Sequence, residues 1–251
     1  LIGIITAIEA MNQSLKESFS SMGANAFNIR FKDSRVRFGG NNSDVKKTTR
    51  GRKEKKSNLD KPIQKEDAEY FKKNFNFPSA KVSIYRRGPG GQEVNYKDKK
   101  TNPQIVVWGG DENYLQVTGY VIEMGRNLND LDQQSGRNVC LIGSNVAKTL
   151  FGDRPDKSID KIVRIGGLPY RVIGLLKSKG SSAMLRQDDV VVTTYNNVRN
   201  FQNASRSYLV GVMVSNVNEL DPASGVATSV FRSVRRLKPL DEDNFVIEKS
   251  D

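Results

Sequence analysis

Residues 138–177, NVCLIGSNVAKTLFGDRPDKSIDKIVRIGGLPYRVIGLLK, decide how this chain is read. The apolar run Val139-Cys140-Leu141-Ile142 is short enough for a buried strand. Gly143 interrupts it, and Ser144 stands as an N-cap before Val146, Ala147, Leu150 and Phe151, whose spacing makes one face of a two-turn helix apolar. Gly152 closes that helix. Two β-rich runs follow, 161–165 and 168–176, joined by Gly166-Gly167, a pair suited to a tight hairpin because both turn residues need positive φ. The stretch predicts strand, short helix and hairpin, with a core drawn from Val139, Leu141, Ile142, Leu150, Phe151, Ile165, Tyr170 and Val172.

Working outward, residues 26–32 alternate, with Phe27, Ile29 and Phe31 on one face of a half-buried strand. A helix is expected from Ile63 to about Asn74 behind Pro62. A strand over 81–87 and the glycine turn 88–91 lead to a return strand near 93–97. The run 104–108 holds Trp108, which reads as a core or domain-junction anchor. Beyond the opening stretch come a strand at 189–194, a short helix at 196–201 and a strand at 208–214. Asp221-Pro222 then reads as cap and first turn of a helix whose stripe is Val226, Val230, Val234 and Leu237. A last strand spans 244–248. These units read β-α-β at each end of the chain, an α/β sandwich of split β-α-β type.

The order of these residues also carries a resemblance. VCLIGSNVAKTLFG followed by KIVRIGGLPYRVIGLLKSKGSS resembles the extracytoplasmic core domain of MacB-type ABC transporter permeases, in the FtsX-like permease superfamily. Val106-Val107-Trp108-Gly109-Gly110-Asp111-Glu112-Asn113-Tyr114, the pair Gly125-Arg126, and Gln187-Asp188-Asp189-Val190-Val191-Val192 fit the same pattern. The resemblance is clearest over residues 104–194 and collinear outside them. It implies an α/β (α+β) fold with a porter-like subdomain from residues 1–110 and 186–251. A smaller, mainly β subdomain is inserted at 111–185, and 33–61 form a flexible basic loop. It further implies an inner-membrane protein with this domain on the periplasmic side, working with its own transmembrane helices and a cytoplasmic ABC ATPase. A homo- or heterodimer of permeases and a periplasmic adaptor or other envelope protein are the further partners it suggests.

Composition narrows the chemistry. The chain has 251 residues, 40 Lys and Arg against 28 Asp and Glu, a net charge of +12, one cysteine and no histidine. The absence of histidine removes Ser-His and Cys-His nucleophilic machinery and most zinc sites. A single thiol closes no internal disulfide, and Cys140 reads as a small buried hydrophobe. No apolar run of membrane-spanning length occurs. Residues 4–22 instead carry an amphipathic stripe of Ile5, Ile8, Leu15, Phe19 and Met22. By itself that stripe reads as a helix packed on its own domain; through the resemblance, it is a stalk coupling a membrane helix to the first strand.

The positive excess concentrates at residues 46–56, where seven of eleven are basic: Lys46, Lys47, Arg50, Arg52, Lys53, Lys55 and Lys56. No aromatic lies between Phe38 and Tyr70, so base stacking is missing and no nucleic acid is expected as partner. The run reads as a solvated loop able to contact an anionic surface. The glycine turn 88–91 lacks the Lys-Ser/Thr of a phosphate loop, and no cofactor is expected in this chain. Asp188-Asp189 would point to opposite faces as a solvated strand entry. Ser178, Ser181 and Ser182 flank Lys179 and read as a polar loop before a Ser-Lys dyad. Gly125-Arg126 could place a cation for an anionic ligand, or a turn in which Arg126 bonds nearby carboxylates. The function expected is a non-enzymatic permease domain. A free-standing basic polyanion-binding protein is the alternative from another class.

Overall fold

The computed structural model describes residues 23–33, 59–180 and 186–249. The stripe Ile5, Ile8, Leu15, Phe19 and Met22, the basic run 46–56, and Ser181 and Ser182 lie outside the described residues. The strands are β1 (Ala26–Phe31), β2 (Lys81–Arg87), β3 (Val94–Tyr96), β4 (Lys99–Lys100), β5 (Val106–Gly110), β6 (Ile122–Gly125), β7 (Val139–Ile142), β8 (Ile162–Ile165), β9 (Leu168–Leu176), β10 (Val190–Thr194), β11 (Leu209–Met213) and β12 (Phe245–Lys249). The helices are α1 (Lys65–Asn74), α2 (Tyr114–Thr118), α3 (Asp130–Ser135), α4 (Ser144–Phe151) and α5 (Leu220–Val234). The strands join in the order β12-β1-β11-β2-β5-β10-β7-β9-β8-β3-β4, with β6 also on β9. Among the described residues no helix is long and apolar enough to cross a membrane.

The sheet has two ends with different cores. In the first, β12, β1, β11 and β2 are antiparallel, and α1 and α5 pack on one face. Phe27, Ile29, Phe71, Val210, Val212, Phe231 and Phe245 meet there. The Phe231 ring lies 5.6 Å from Phe71 and 4.8 Å from Phe245. In β1 the alternation is as expected, yet Ala26 and Asn28 are buried too, because α2 covers the other face of β2 and β11.

The buried stripe of α5 differs from the valine stripe read in the sequence. Leu220, Ala223, Ala227 and Phe231 face the sheet, whereas Val226 is 39% exposed and Val230 and Val234 are half-buried. Small alanines let the helix lie close to the strands, and the larger valines flank the contact. The helix also begins at Leu220 with Glu219 as cap, so Pro222 falls within the first turn, where its missing N–H has no intrahelical partner to lose.

β2 is the hinge between the ends: residues 81–85 pair with β11, and Arg86 and Arg87 pair with Gly109 and Trp108 of β5. The glycine turn after β2 does not fold β3 back onto it. Gly88 N donates to Val107 O (2.8 Å) and Gln92 exchanges hydrogen bonds with Ile105, so the chain crosses β5. β3 then pairs with β4 and β8 at the far end of the sheet.

The second core collects Cys140, Ile142, Val146, Leu150, Val163, Ile165, Tyr170 and Val172, joined by Val94, Ile105, Val107, Val191, Val198 and Phe201. Packing thus draws this unit wider than residues 111–185. Parallel pairing of β5 with β10 carries both flanks of the expected insertion into its core. β7 buries both faces, Cys140 and Ile142 toward this core and Val139 and Leu141 toward a third with Trp108, Tyr114 and Ile173. A continuous apolar run is what such a strand requires. The hairpin forms as read, with φ of 55° at Gly166 and 85° at Gly167. Gly143, not Ser144, caps α4: it stays extended and donates to Val190 O at 2.8 Å, so the helix starts at Ser144, one residue earlier than read. Phe151 is half-buried, its ring 4.6 Å from Tyr96.

Candidate functional site

A cleft opens where the face of β7 and β9 that carries Val139 and Ile173 meets the end of β6. Along β9, Tyr170 and Val172 point into the second core, so Arg171 and Ile173 emerge on the opposite face. Parallel pairing sets Val139 beside Arg171, whose N–H donates to Asn138 O at 2.8 Å. On the β8 side Asp160 N donates to Val172 O (2.8 Å), and Asp160 itself has a φ of 61°. The opposite wall is the end of β6. Gly125 has a φ of 81°, and a Cβ there would lie 2.3 Å from Ile173 O, so only glycine lets Arg126 N reach that same oxygen at 2.9 Å. The result is a cleft of about 640 Å³ with Arg126, Arg137 and Arg171 on its walls and Val139 and Ile173 on its floor.

The turn reading of Gly125-Arg126 is the one the structure bears out. Arg126 forks onto Asp132, Nη1 to Oδ2 at 2.6 Å and Nη2 to Oδ1 at 3.0 Å. Asp132 is 1% exposed and also accepts from Asn129 N at 3.2 Å, while Asn129 Oδ1 accepts from Asp132 N at 2.9 Å, a capping box on α3. The Arg126 hydrogen bonds, against the opposing effect of burial, hold the Asp132 carboxyl below its ordinary value. Sequence reasoning missed Asp132. Its signal was the Asn-x-x-Asp spacing of 129–132.

A second polar cluster joins the two ends of the sheet. Asp111, 3% exposed at the end of β5, accepts from Ser83 Oγ (2.8 Å) and Asn113 N (3.1 Å) on Oδ1, and from Ile84 N and Lys72 Nζ (both 2.8 Å) on Oδ2. Lys72 also reaches Glu112 at 2.6 Å. Burial pushes the Asp111 carboxyl up, with Lys72 opposing. One side chain therefore ties α1, β2 and β5 together.

The remaining candidates resolve differently. Asp188 and Asp189 are buried, not solvated. Asp188 accepts from Ser178 Oγ (2.5 Å) and Lys179 N (2.9 Å), and Asp189 from Asn145 Nδ2 (3.0 Å). They turn to different partners, as expected of adjacent residues, but serve as internal acceptors. Ser178 and Lys179 form no dyad: Lys179 Nζ donates to Thr118 O (2.6 Å) and lies 3.9 Å over the Tyr120 ring. Among the described residues no group of three or more His, Cys, Asp or Glu is placed to hold a metal.

Burial lowers Lys179 from its ordinary 10.5 to about 8, with Asp188 opposing. Between those values the unfolded chain binds the extra proton, so this group makes stability rise with pH from about 8 towards 10.5. Complete displacement would correspond to at most about 3 kcal/mol, and partial exposure reduces the expectation to about 1–2 kcal/mol. Urea denaturation of the wild type and Lys179→Met at pH 7.5 and 9.5, roughly spanning this window, should show the wild type gaining on the variant at the higher pH. Parallel changes would show that Lys179 is solvated.

The family model described as MacB-like periplasmic core domain matches residues 1–230. The chain is 26% identical to the macrolide export ATP-binding/permease protein MacB of Chlorobaculum tepidum, covering 98% of this chain and 36% of that protein. It is 26% identical to the uncharacterized ABC transporter permease YvrN of Bacillus subtilis, covering 75% of this chain and 42% of that protein. Its fold is similar to the periplasmic region of MacB from Actinobacillus actinomycetemcomitans, with a TM-score of 0.63 at 19% identity, covering 92% of this chain and 91% of that one. The chain thus spans well under half the length of either curated relative. The family is one of transporter-permease domains rather than catalytic ones, and nothing in these likenesses supports the free-standing polyanion binder. A mixed α/β sheet with this strand and helix order, matched along nearly the whole chain, places the protein in the MacB-like periplasmic core domain family.

Proposed function

We propose that this domain is the outer part of an ABC transporter permease of the inner membrane and is moved by ATP binding and hydrolysis at a cytoplasmic ATPase. In that reading its own transmembrane helices, the ATPase (fused or separate) and a second permease copy are its working partners. A periplasmic adaptor or other envelope protein receives the movement. The domain itself has no catalysis and no cofactor. The motion serves export or release of a substrate, or signalling to that envelope partner.

The observation that carries this reading is the pairing of β1 with β12. Phe27 stands opposite Lys249 and Phe31 opposite Phe245, so the described chain enters and leaves the sheet at the same end. The Arg30–Glu248 ion pair ties the two strands side by side. A displacement applied at that end is shared by two bonded strands and reaches β2 through β11, which supports a rigid-body transmission.

Cys140 makes the test clean. It is fully buried, and burial raises its thiol well above the ordinary value, so it should stay silent to maleimides. A cysteine introduced at the exposed Asp153 of the full-length transporter should react with an impermeant maleimide from the periplasmic side alone. Spin labels there in both permease copies should change separation between the nucleotide-free and ATP-trapped states. Labelling from the cytoplasmic side, or an unchanged separation, would refute the proposal.

A further inference from the structure

We propose that the arginine cleft on β7 and β9 is a binding site for a small carboxylate with an apolar body, held by Arg137 and Arg171. The charge inventory leads there. Of the three arginines on the walls, Arg126 is neutralised by the buried Asp132. Among the described residues, Arg137 and Arg171 have no hydrogen bond or ion pair to their guanidinium groups. Asp160 is the one carboxylate in the lining. Arg137 also acts electrostatically on Asp132, yet neither Arg137 nor Arg171 is hydrogen-bonded to a carboxylate, and three arginines against Asp132 and Asp160 leave the cleft cationic. Planar guanidinium groups suit planar oxyanions, which they bind through two parallel hydrogen bonds.

The frame beneath these arginines is built rather than loose. Arg171 sits within β9, bonded through its backbone to Asn138. The turn carrying Arg137 is held from below by Asn197, 2% exposed, whose Nδ2 donates to Arg137 O at 2.8 Å and to Asn138 Oδ1 at 3.0 Å. Asn197 is in turn fixed by Tyr170, whose hydroxyl donates to its Oδ1 at 3.0 Å. A buried network thus fixes the backbone that carries Arg137, leaving only the side chain to be ordered on binding.

Size and floor select the ligand. About 640 Å³ lies in the range of small-molecule sites. Val139, Ile159 and Ile173 supply an apolar bed, so an apolar body would displace water from it. Asp160 disfavours a doubly charged phosphate more than a singly charged carboxylate, since the repulsion scales with ligand charge. The proposal does not rest on the transport reading, and its measurement needs neither membrane nor ATPase.

The test uses the 251-residue chain with N-acetyl-leucine as probe, N-acetyl-leucinamide as its neutral counterpart and inorganic phosphate as the competing anion. Binding is followed by amide chemical shifts. N-acetyl-leucine should shift Gly125, Asn138 and Ile173 saturably, and the amide should not. Arg137→Gln with Arg171→Gln should weaken binding at least tenfold while amide shifts elsewhere stay put, because both side chains are exposed. Asp160→Asn should strengthen phosphate binding several-fold. Equal binding of acid and amide would reduce the cleft to an apolar groove, and phosphate binding as tight as that of the carboxylate would make it a general anion site. Unchanged affinity in the double variant would place the ligand elsewhere. Each of these three results overturns the proposal.

Discussion

Asp111→Ala is expected to destabilise the domain by about 3–5 kcal/mol, the usual cost of removing one partner from a buried charge pair. Four groups lose their acceptor together: Ser83 Oγ, Ile84 N, Asn113 N and Lys72 Nζ. Ser83 is fully buried, so water cannot replace the lost bond without opening β2. Lys72 keeps Glu112, which softens the loss at that position alone. Asp111→Asn, which retains an acceptor oxygen, should cost distinctly less. Urea denaturation measures both, and a loss below about 1 kcal/mol for the alanine variant would show that the junction is held by packing alone.

Phe231→Ala should cost about 3–5 kcal/mol as well, by cavity formation rather than unpaired polarity. The ring is fully buried between Phe71 of α1 and Phe245 of β12, so its loss loosens helix, helix and edge strand together. Amide exchange should quicken first in β12, which among the described residues pairs with β1 alone. Val226→Ala, on the exposed side of the same helix, should stay within about 0.5 kcal/mol. Equal costs at the two positions would restore the valine stripe as the buried face.

That helix shows where sequence reasoning reaches its limit. Periodicity identified α5, but two spirals of apolar residues run along it. The valines outweigh the alanines on any scale of side-chain hydrophobicity, although close approach to a sheet favours the smaller residue. The strands β7, β8 and β9 were legible because their cues are local: a continuous apolar run, alternation and Gly166-Gly167. The partner of β3 was not, since three residues of strand record their own alternation and nothing of the β8 edge they join. The same holds for the second core, whose members Val107 and Val191 meet only through parallel pairing. In the cleft, Gly125-Arg126 stood out by composition, while Arg137 and Arg171 look like ordinary surface cations until β7 and β9 lie side by side. Asp188 and Asp189 were misjudged because acidic pairs are usually solvated, and their donors come from separate segments, Ser178 after β9 and Asn145 in the first turn of α4.

The pairing of β1 with β12 also orders events during synthesis. Arg30 and Glu248, bonded across that seam, are 218 residues apart in sequence. Closing so long a loop adds only slowly to the entropic cost, yet non-local pairing of this kind slows folding. The partners of β8 and β9 lie within the middle of the chain and leave the ribosome well before β11 and β12. During synthesis β1 therefore emerges long before either of its partners, β11 and β12, with Phe27 and Ile29 uncovered until they arrive. An open apolar strand is a template for pairing with other chains. β1 is thus the described strand most in need of protection until β11 and β12 arrive.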